Sequence, residues 1–115
     1  MKPDEPECIF CRIAAHEVPK TFRHEDDVLM VFDDIRPSAP VHLLIVPKRH
    51  ISSVIDFGAA ERDLAGELIL AANRAAADAG IRDGYKLVFN AGRKGGQIIE
   101  HVHLHLLGGW GEGEK

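Results

Sequence analysis

Three histidines alternate with apolar residues near the end of the sequence, where His101, His103 and His105 are separated by Val102 and Leu104. Because successive side chains of an extended strand point to opposite faces, this spacing predicts a row of three imidazoles on one face. An imidazole can act near neutral pH as a nucleophile, an acid, a base or a neutral metal ligand. We interpret the row as a candidate reaction centre; the alternative is the polar outer face of an edge strand.

A pair of thiols, Cys8 and Cys11, has the spacing of half a tetrahedral zinc site. The sequence contains no other cysteine, so histidines would have to complete such a site. A redox dithiol is the alternative, but no βαβ pattern leads into the pair as a thioredoxin-like site requires. We therefore favour zinc, with four histidines as candidate ligands: His16, His24, His50 and His101.

A glycine-rich loop precedes the histidine row, with Gly92, Gly95 and Gly96 between Asn90 and Gln97. Glycines allow the backbone to approach a ligand closely and to point N–H groups inward as an anion nest. Such a nest would hold a phosphoryl group within reach of the imidazoles. The alternative is a glycine-rich turn with a structural role alone.

Three further polar residues, Asp33, Asp34 and His42, stand at the ends of apolar segments. Taken alone, the two aspartates favour a turn. A single histidine at the start of an apolar strand is more often a hydrogen-bonded, half-buried residue than a catalytic one.

The scaffold that positions these residues follows from hydrophobic periodicity and from the turn residues. The predicted elements are a short helix at 8–15 ended by Pro19, strands at 21–24, 28–32 and 41–46, a helical turn at 51–57, a long helix at 60–79 stopped by Gly80, and strands at 85–90 and 100–107. The spacing of the first three strands indicates an antiparallel meander. Strands, one long helix and then further strands favour an α+β domain with a five-stranded antiparallel sheet.

The bulk composition fits one globular domain over residues 1–115, because 45% of the 115 residues are hydrophobic and 28% are charged. Residues 1–7 are acidic and contain prolines, which predicts a disordered N-terminal lead rather than a signal peptide.

The net charge of -4 argues against non-specific nucleic-acid binding. No apolar run approaches the roughly 18–20 residues that a membrane helix needs. We expect a cytoplasmic protein with neither nucleic acid nor membrane as a partner.

The chain resembles the histidine triad family over nearly its whole length, and more narrowly its nucleotide-binding, HINT-like branch. The resemblance rests on Cys-Ile-Phe-Cys at 8–11, Phe-Asp-Asp-Ile at 32–35 with Pro37, Ala39, Pro40 and His42, Val-Pro-Lys-x-His-Ile at 46–51, Asn90 with Gly92, and the Gly-Gly-Gln, His-x-His-x-His and Gly-Gly motifs between Gly95 and Gly109. It implies that family's fold and a purine nucleotide hydrolase or transferase that works through a nucleotidyl-histidine intermediate. It also implies a homodimer whose sheets join across the two-fold axis.

Carried over by position, the resemblance implies that His103 is the nucleophile that attacks the α-phosphorus, with His105 and His42 as the other catalytic residues. Asp34 would accept from the ribose hydroxyls. The residues that it assigns to nucleotide binding are Phe32, Asp34, Ile35, Asn90, Gly96, Gln97, His103 and His105.

The resemblance also implies a structural zinc ion, because members with an early Cys-x-x-Cys are similar in using both thiols and two histidines. Here the four ligands would be Cys8, Cys11, His50 and His101. The row would then be divided, with His101 on the metal and the other two histidines facing the substrate.

The expected substrates are adenosine or guanosine 5'-phosphoramidates and acyl or aminoacyl nucleotides. Dinucleoside polyphosphates are an alternative substrate class. A nucleotide-binding or interaction module with incidental hydrolysis is a second alternative. A third is a catalytic zinc ion held by three histidines.

Overall fold

A computed structural model describes residues 7–111, so the predicted disordered lead, except for its last residue, lies outside the described part. The regular elements are α1 (Ile9–Ala14), β1 (His24–Glu25), β2 (Leu29–Asp33), β3 (Val41–Pro47), α2 (Arg62–Asp78), β4 (Tyr85–Val88) and β5 (Leu104–Gly108). Short 3-10 turns lie at Val54–Asp56, Ala59–Glu61 and Arg93–Gly95. None of the helices in this part of the chain combines the length and apolar character that a bilayer crossing demands.

All five strands form one antiparallel sheet in the order β1-β2-β3-β5-β4. The α+β class, with one long helix and one short N-terminal helix, is therefore confirmed. The first three strands make the predicted meander. β5 inserts between β3 and β4, which places the histidine-bearing strand inside the sheet and gives it a neighbour on each side.

The sheet is covered on both faces, and β2 and β3 are therefore buried along almost their whole length. Leu68, Ala72 and Ala75 of α2 pack on one face, as the three- and four-residue spacing of its apolar residues predicts. Phe10 and Ile13 of α1 pack on the other face, where the functional side chains gather.

The short helix ends earlier than predicted, and Pro19 is not what ends it. His16 adopts a left-handed conformation with φ of 60°. The N–H of His16 donates to the carbonyl of Ile13 at 3.0 Å, and the N–H of Glu17 donates to that of Arg12 at 2.9 Å. These bonds satisfy the last carbonyls of the helix and turn the chain away.

The last strand begins at Leu104 rather than at residue 100, which corrects the prediction that the whole histidine row lies on a strand. Just before it, the N–H of Val102 donates to the carbonyl of Ile51 at 2.7 Å. The Nε2 of His101 is 2.8 Å from the carbonyl of Pro47. The backbone here bonds to the segment that follows β3, and the His101 side chain bonds to the last residue of β3, which carries His101 toward α1.

Candidate active site and metal centre

Two thiols and two imidazoles meet at the start of α1. Cys8 caps the helix, and its Sγ accepts from the N–H of Cys11 at 3.4 Å. The Nδ1 of His101 lies 3.3 Å from the Sγ of Cys8, and the Nδ1 of His50 lies 3.2 Å from the Sγ of Cys11. The two Nδ1 atoms are 3.1 Å apart. Four donor atoms from three distant segments therefore face one point.

The geometry of this cluster fits a closed tetrahedral zinc site. With Zn–N near 2.0–2.1 Å and Zn–S near 2.3 Å, the N–N and N–S edges of the tetrahedron are about 3.3–3.6 Å, close to the observed separations. The Nε2–H of His101 donates to Pro47, so its Nδ1 carries the lone pair. Burial lowers the pKa of His101 to about 4, which keeps the ring neutral, as a ligand must be.

The other two candidate histidines lie elsewhere. The Nε2 of His16 is 2.6 Å from Glu25, and the Nε2 of His24 is 2.8 Å from Asp26, both on the surface. Spacing alone left the four histidines equivalent, and the fold distinguishes them.

A cleft of about 470 Å³ opens between the N-terminal helix and the sheet. All eight residues that the resemblance assigns to nucleotide binding line it: Phe32, Asp34, Ile35, Asn90, Gly96, Gln97, His103 and His105. They come from the end of β2, the glycine-rich loop and the region around β5.

One half of the cleft is an apolar slot that sequence reasoning missed. Its walls add five side chains to Phe32: Ile9, Phe10, Ile13, Leu44 and Ile99. The signal was present in α1, whose apolar residues at 9, 10 and 13 fall on one side of a helix. The slot can accept a flat apolar ring such as a nucleobase.

His103 stands beside the slot with a defined tautomer. Its Nδ1 is 2.7 Å from the carbonyl of His101, so Nδ1 carries the proton and donates. The other nitrogen, Nε2, therefore keeps its lone pair. Burial above all lowers the pKa of His103 below 6.5, and the ring is neutral at pH 7. The edge of the Phe10 ring, with centroids 5.2 Å apart, fixes its orientation.

His42 and His105 form a hydrogen-bonded pair whose proton order is also defined. The backbone N–H of Ser38 donates to the Nδ1 of His42 at 3.0 Å, so the proton of His42 is on Nε2. That Nε2 lies 2.9 Å from the Nδ1 of His105 and donates to it. His105 therefore carries its own proton on Nε2. Burial, followed by the neighbouring imidazoles, lowers the pKa of His105 to about 4.

The carboxylate of Asp34 lies at the same point, 3.4 Å from the Nε2 of His42. Ligand atoms of Asp34, His42 and His105 are within 4.8 Å of one another. The triad itself is divided, because His101 belongs to the thiol cluster. This separation contradicts the alternative in which all three triad histidines hold one metal ion.

The glycine-rich loop does not form the predicted anion nest with its central amides. The N–H groups of Gly95 and Gln97 both donate to the carbonyl of Gly92, and that of Gly96 donates to Arg93, each at 3.0 Å. The Gln97 side chain also holds the loop, donating to the carbonyl of Ser52 at 2.7 Å. The structural interpretation of these glycines is therefore the better one.

The backbone conformation at Gly96 and its close approach to Asn90 favour glycine at this position. Its φ is 92°, and a Cβ there would lie 3.4 Å from the Nδ2 of Asn90. That Nδ2 donates to the carbonyl of Gly95 at 3.0 Å. The turn therefore brings the loop backbone and the Asn90 amide to the cleft together.

Comparison with known proteins identifies relatives of this chain. The family described as scavenger mRNA decapping enzyme C-terminal binding matches residues 7–113. The chain is 42% identical over 104 residues to the purine nucleoside phosphoramidase of Escherichia coli K12, covering 90% of this chain and 87% of that protein. It is 41% identical to Protein HitA of Neisseria gonorrhoeae over 101 residues, covering 88% and 94%.

Solved structures agree as well. A HIT family hydrolase from Legionella pneumophila superposes with a TM-score of 0.88 at 44% identity, covering 91% of this chain and 95% of that one. A HIT family hydrolase from Clostridium thermocellum gives 0.90 at 40% identity, covering 96% and 97%.

Proposed function

This chain belongs to the histidine triad family, and on that premise we propose that it hydrolyses purine nucleoside 5'-phosphoramidates and related acyl or aminoacyl nucleotides at the α-phosphorus. It is a nucleotide hydrolase of that family, and its E. coli relative is named a purine nucleoside phosphoramidase. The single observation that carries the proposal is the neutral His103. Its Nδ1–H is tied to a carbonyl while its ring lines the cleft.

In the first step, the Nε2 lone pair of His103 attacks the α-phosphorus and a phosphorus–nitrogen bond forms. The bond from phosphorus to the leaving amine breaks, and the amine takes up a proton from the Nε2 of His105. The Nε2–H of His42 donates to the Nδ1 of His105 and stabilises that ring while its own proton is on the amine.

In the second step, water attacks the nucleotidyl-histidine and the phosphorus–Nε2 bond breaks. One water proton replaces the proton that was delivered to the amine, so the products are a nucleoside 5'-monophosphate and the free amine. The enzyme returns to its starting tautomers. The role of the protein is to hold neutral imidazoles in order and to exclude water from the slot.

The remaining cleft residues bind and orient the nucleotide. Phe32 and Ile35 would line the base site. The carboxylate of Asp34 would accept from the ribose hydroxyls, and its Oδ1 already accepts from the N–H of Arg36 at 2.8 Å, which fixes its direction. The second Nδ2 hydrogen of Asn90 and the backbone N–H groups after Gln97 would contact the phosphoryl oxygens, because the N–H groups of Gly96 and Gln97 already bond within the loop.

A structural zinc ion on Cys8, Cys11, His50 and His101 would stabilise the site without taking part in the reaction. When bound, it supplies a cross-link between α1, the segment after β3 and the segment before β5. The carbonyl that orients His103 belongs to His101 itself. The metal centre and the nucleophile are therefore adjacent along the backbone.

We further propose that the chain acts as a cytoplasmic homodimer. The edge strand β4 carries Leu87, which is 37% exposed, and α2 exposes Ile69 and Leu70. An open strand edge together with exposed apolar residues is typical of an interface. The mass of the native assembly checks the subunit count.

The substrate class is tested by comparing guanosine and adenosine 5'-phosphoramidates with diadenosine polyphosphates. We expect kcat/KM to be at least about 10-fold higher for a phosphoramidate, because a relative that is 42% identical to this chain is named a purine nucleoside phosphoramidase. Higher efficiency with the polyphosphate would contradict the proposal. Nucleotide binding with no turnover of either class would favour the interaction module.

The decline of kcat/KM at acid pH should begin at a lower pH than it would for a histidine with an ordinary pKa. His103 and His105 have pKa values lowered by burial, His105 to about 4, so both stay neutral as the pH falls past 6.5. We expect kcat/KM to be flat from pH 8 to 6.5 and to decline only below that. A profile already falling above pH 6.5 would contradict this.

The same lowered pKa has a consequence for stability. In the unfolded chain a histidine binds its proton near pH 6.5, whereas folded His105 does so only near pH 4. The unfolded state therefore binds more protons between these values, and the stability that is present above pH 6.5 decreases as the pH falls toward 4.

A further inference from the structure

The far end of the cleft carries charged residues that the proposed reaction does not use. Lys20 and Asp33 line it together with Asp34 and Ile35. The same four residues line an adjoining cavity of about 590 Å³, and no histidine lines that cavity. Lys20 and Asp33 therefore lie at the end of the apolar slot away from the nucleophile, where the outer edge of a bound base would emerge.

The two charges are held close to each other and to the slot. The Nζ of Lys20 is 4.7 Å from the centroid of the Phe32 ring, which forms a wall of the slot. Asp33 is the next residue along β2. Its carboxylate accepts two bonds from Arg23, at 2.7 Å from Nε and 3.2 Å from Nη2. This bidentate pair fixes the direction of the carboxylate.

Asp33 remains an anion in this setting and keeps acceptor capacity. The hydrogen bond from Arg23 lowers the pKa of Asp33, and the charge of Lys20 lowers it further. Each carboxylate oxygen has two lone pairs, of which Arg23 engages one. One fixed acceptor and one mobile donor therefore stand side by side where the base ends.

The purine bases differ in what they offer to such a pair. Guanine presents an O6 acceptor beside N1–H and N2–H donors, whereas adenine presents an N6 donor beside an N1 acceptor. A carboxylate accepts from N1–H and N2–H of guanine, and an ammonium donates to its O6. The adenine N1 lone pair would instead face the carboxylate with no proton between them.

We propose that Lys20 and Asp33 form a base-reading pair that makes guanosine derivatives the preferred substrates of this cleft. Resting on the proposed function, this inference narrows its substrate class. Recognition by a fixed acceptor discriminates more strongly than an apolar wall, because the wrong base sets its own N1 lone pair against the Asp33 carboxylate, whose direction Arg23 fixes.

The test measures binding, so that it does not depend on turnover. Isothermal titration gives the Kd of GMP, IMP and AMP for the wild-type protein and for two variants, Asp33→Asn and Lys20→Gln. We expect GMP to bind about 10- to 100-fold more tightly than AMP to the wild type, with IMP between them because it lacks only the N2 amino group.

The two variants should act differently. Asp33→Asn should bring GMP and AMP to within about 3-fold of each other, while Lys20→Gln should weaken GMP and IMP but not AMP, because only the first two carry O6. Asp83→Asn is the matched control, an exposed aspartate outside the cleft, and should leave all three affinities unchanged.

Three results would overturn the inference. Equal affinity of the wild type for GMP and AMP, or an unchanged ratio in Asp33→Asn, removes base reading and leaves the proposed hydrolase standing. Failure of all three nucleotides to bind removes the proposed function and base reading together.

Discussion

Replacing His103 with asparagine is expected to lower kcat for a purine nucleoside phosphoramidate by about 10⁴-fold or more, as loss of a covalent nucleophile does in other enzymes. Asparagine preserves a polar side chain of similar size but has no basic lone pair with which to attack phosphorus. The Kd of the product monophosphate should change only a few-fold, because the apolar slot and Asp34 remain. Steady-state turnover together with titration of the monophosphate gives both quantities.

The matched control is His24→Asn. His24 lies on the surface, where its Nε2 is hydrogen-bonded to Asp26, and it does not line the cleft. Its kcat should stay within about 2-fold of the wild type, since surface substitutions of this kind are nearly neutral. Undiminished turnover in the His103 variant would remove the covalent mechanism.

Removing the metal is expected to have the second largest effect. Cys11→Ala leaves three donors where four face one point, and zinc should no longer be retained. A structural zinc supplies a large share of the folding free energy of a small domain, whose total is only about 5–15 kcal/mol. We expect the Tm to fall by about 15 °C or more. Thermal unfolding with metal analysis measures both changes.

Activity should fall along with stability in this variant, because His101 provides both a metal ligand and the carbonyl that orients His103. His24→Ala is the control, since His24 lies on the surface and bonds to Asp26. It should keep one zinc per chain and a Tm within a few degrees of the wild type. Wild-type protein that holds no zinc and does not change its Tm with a chelator would contradict the metal centre.

The architecture was predictable because its elements carry strong periodic signals. The α2 stripe of Leu68, Ala72 and Ala75 indicated a helix, and the apolar runs of β2 and β3 indicated strands, which the fold buries on both faces. Element ends were less predictable. The left-handed His16 ends α1 through backbone bonds that no residue type announces, since the conformation is unusual outside glycine.

The histidine row shows what residue patterns cannot tell. Alternation predicted one strand with three equivalent imidazoles, but β5 begins only at Leu104 and His101 turns toward the thiols. That division depends on tertiary contacts with Pro47 and Ile51. Periodicity reports the local direction of side chains, whereas their partners come from segments more than 50 residues away.

The tautomers and the direction of the hydrogen bonds in the site could not be predicted from the sequence either. The tautomer of His42 is set by the backbone N–H of Ser38, and that of His103 by the carbonyl of His101. Backbone groups exist at every position, so no motif marks them. The sequence also carries no sign that Lys20 lines the cleft, because a single lysine between proline and threonine is typical of a solvated loop.

The covalent intermediate is tested most directly by intact mass spectrometry of the protein mixed with a slowly hydrolysed guanosine phosphoramidate. We expect a transient mass increase of one nucleotidyl group, located at His103 by fragmentation and absent from the His103→Asn variant. Native conditions would count subunits and zinc in the same sample. Turnover without any adduct, or with the adduct on another residue, would rule out His103 as the nucleophile.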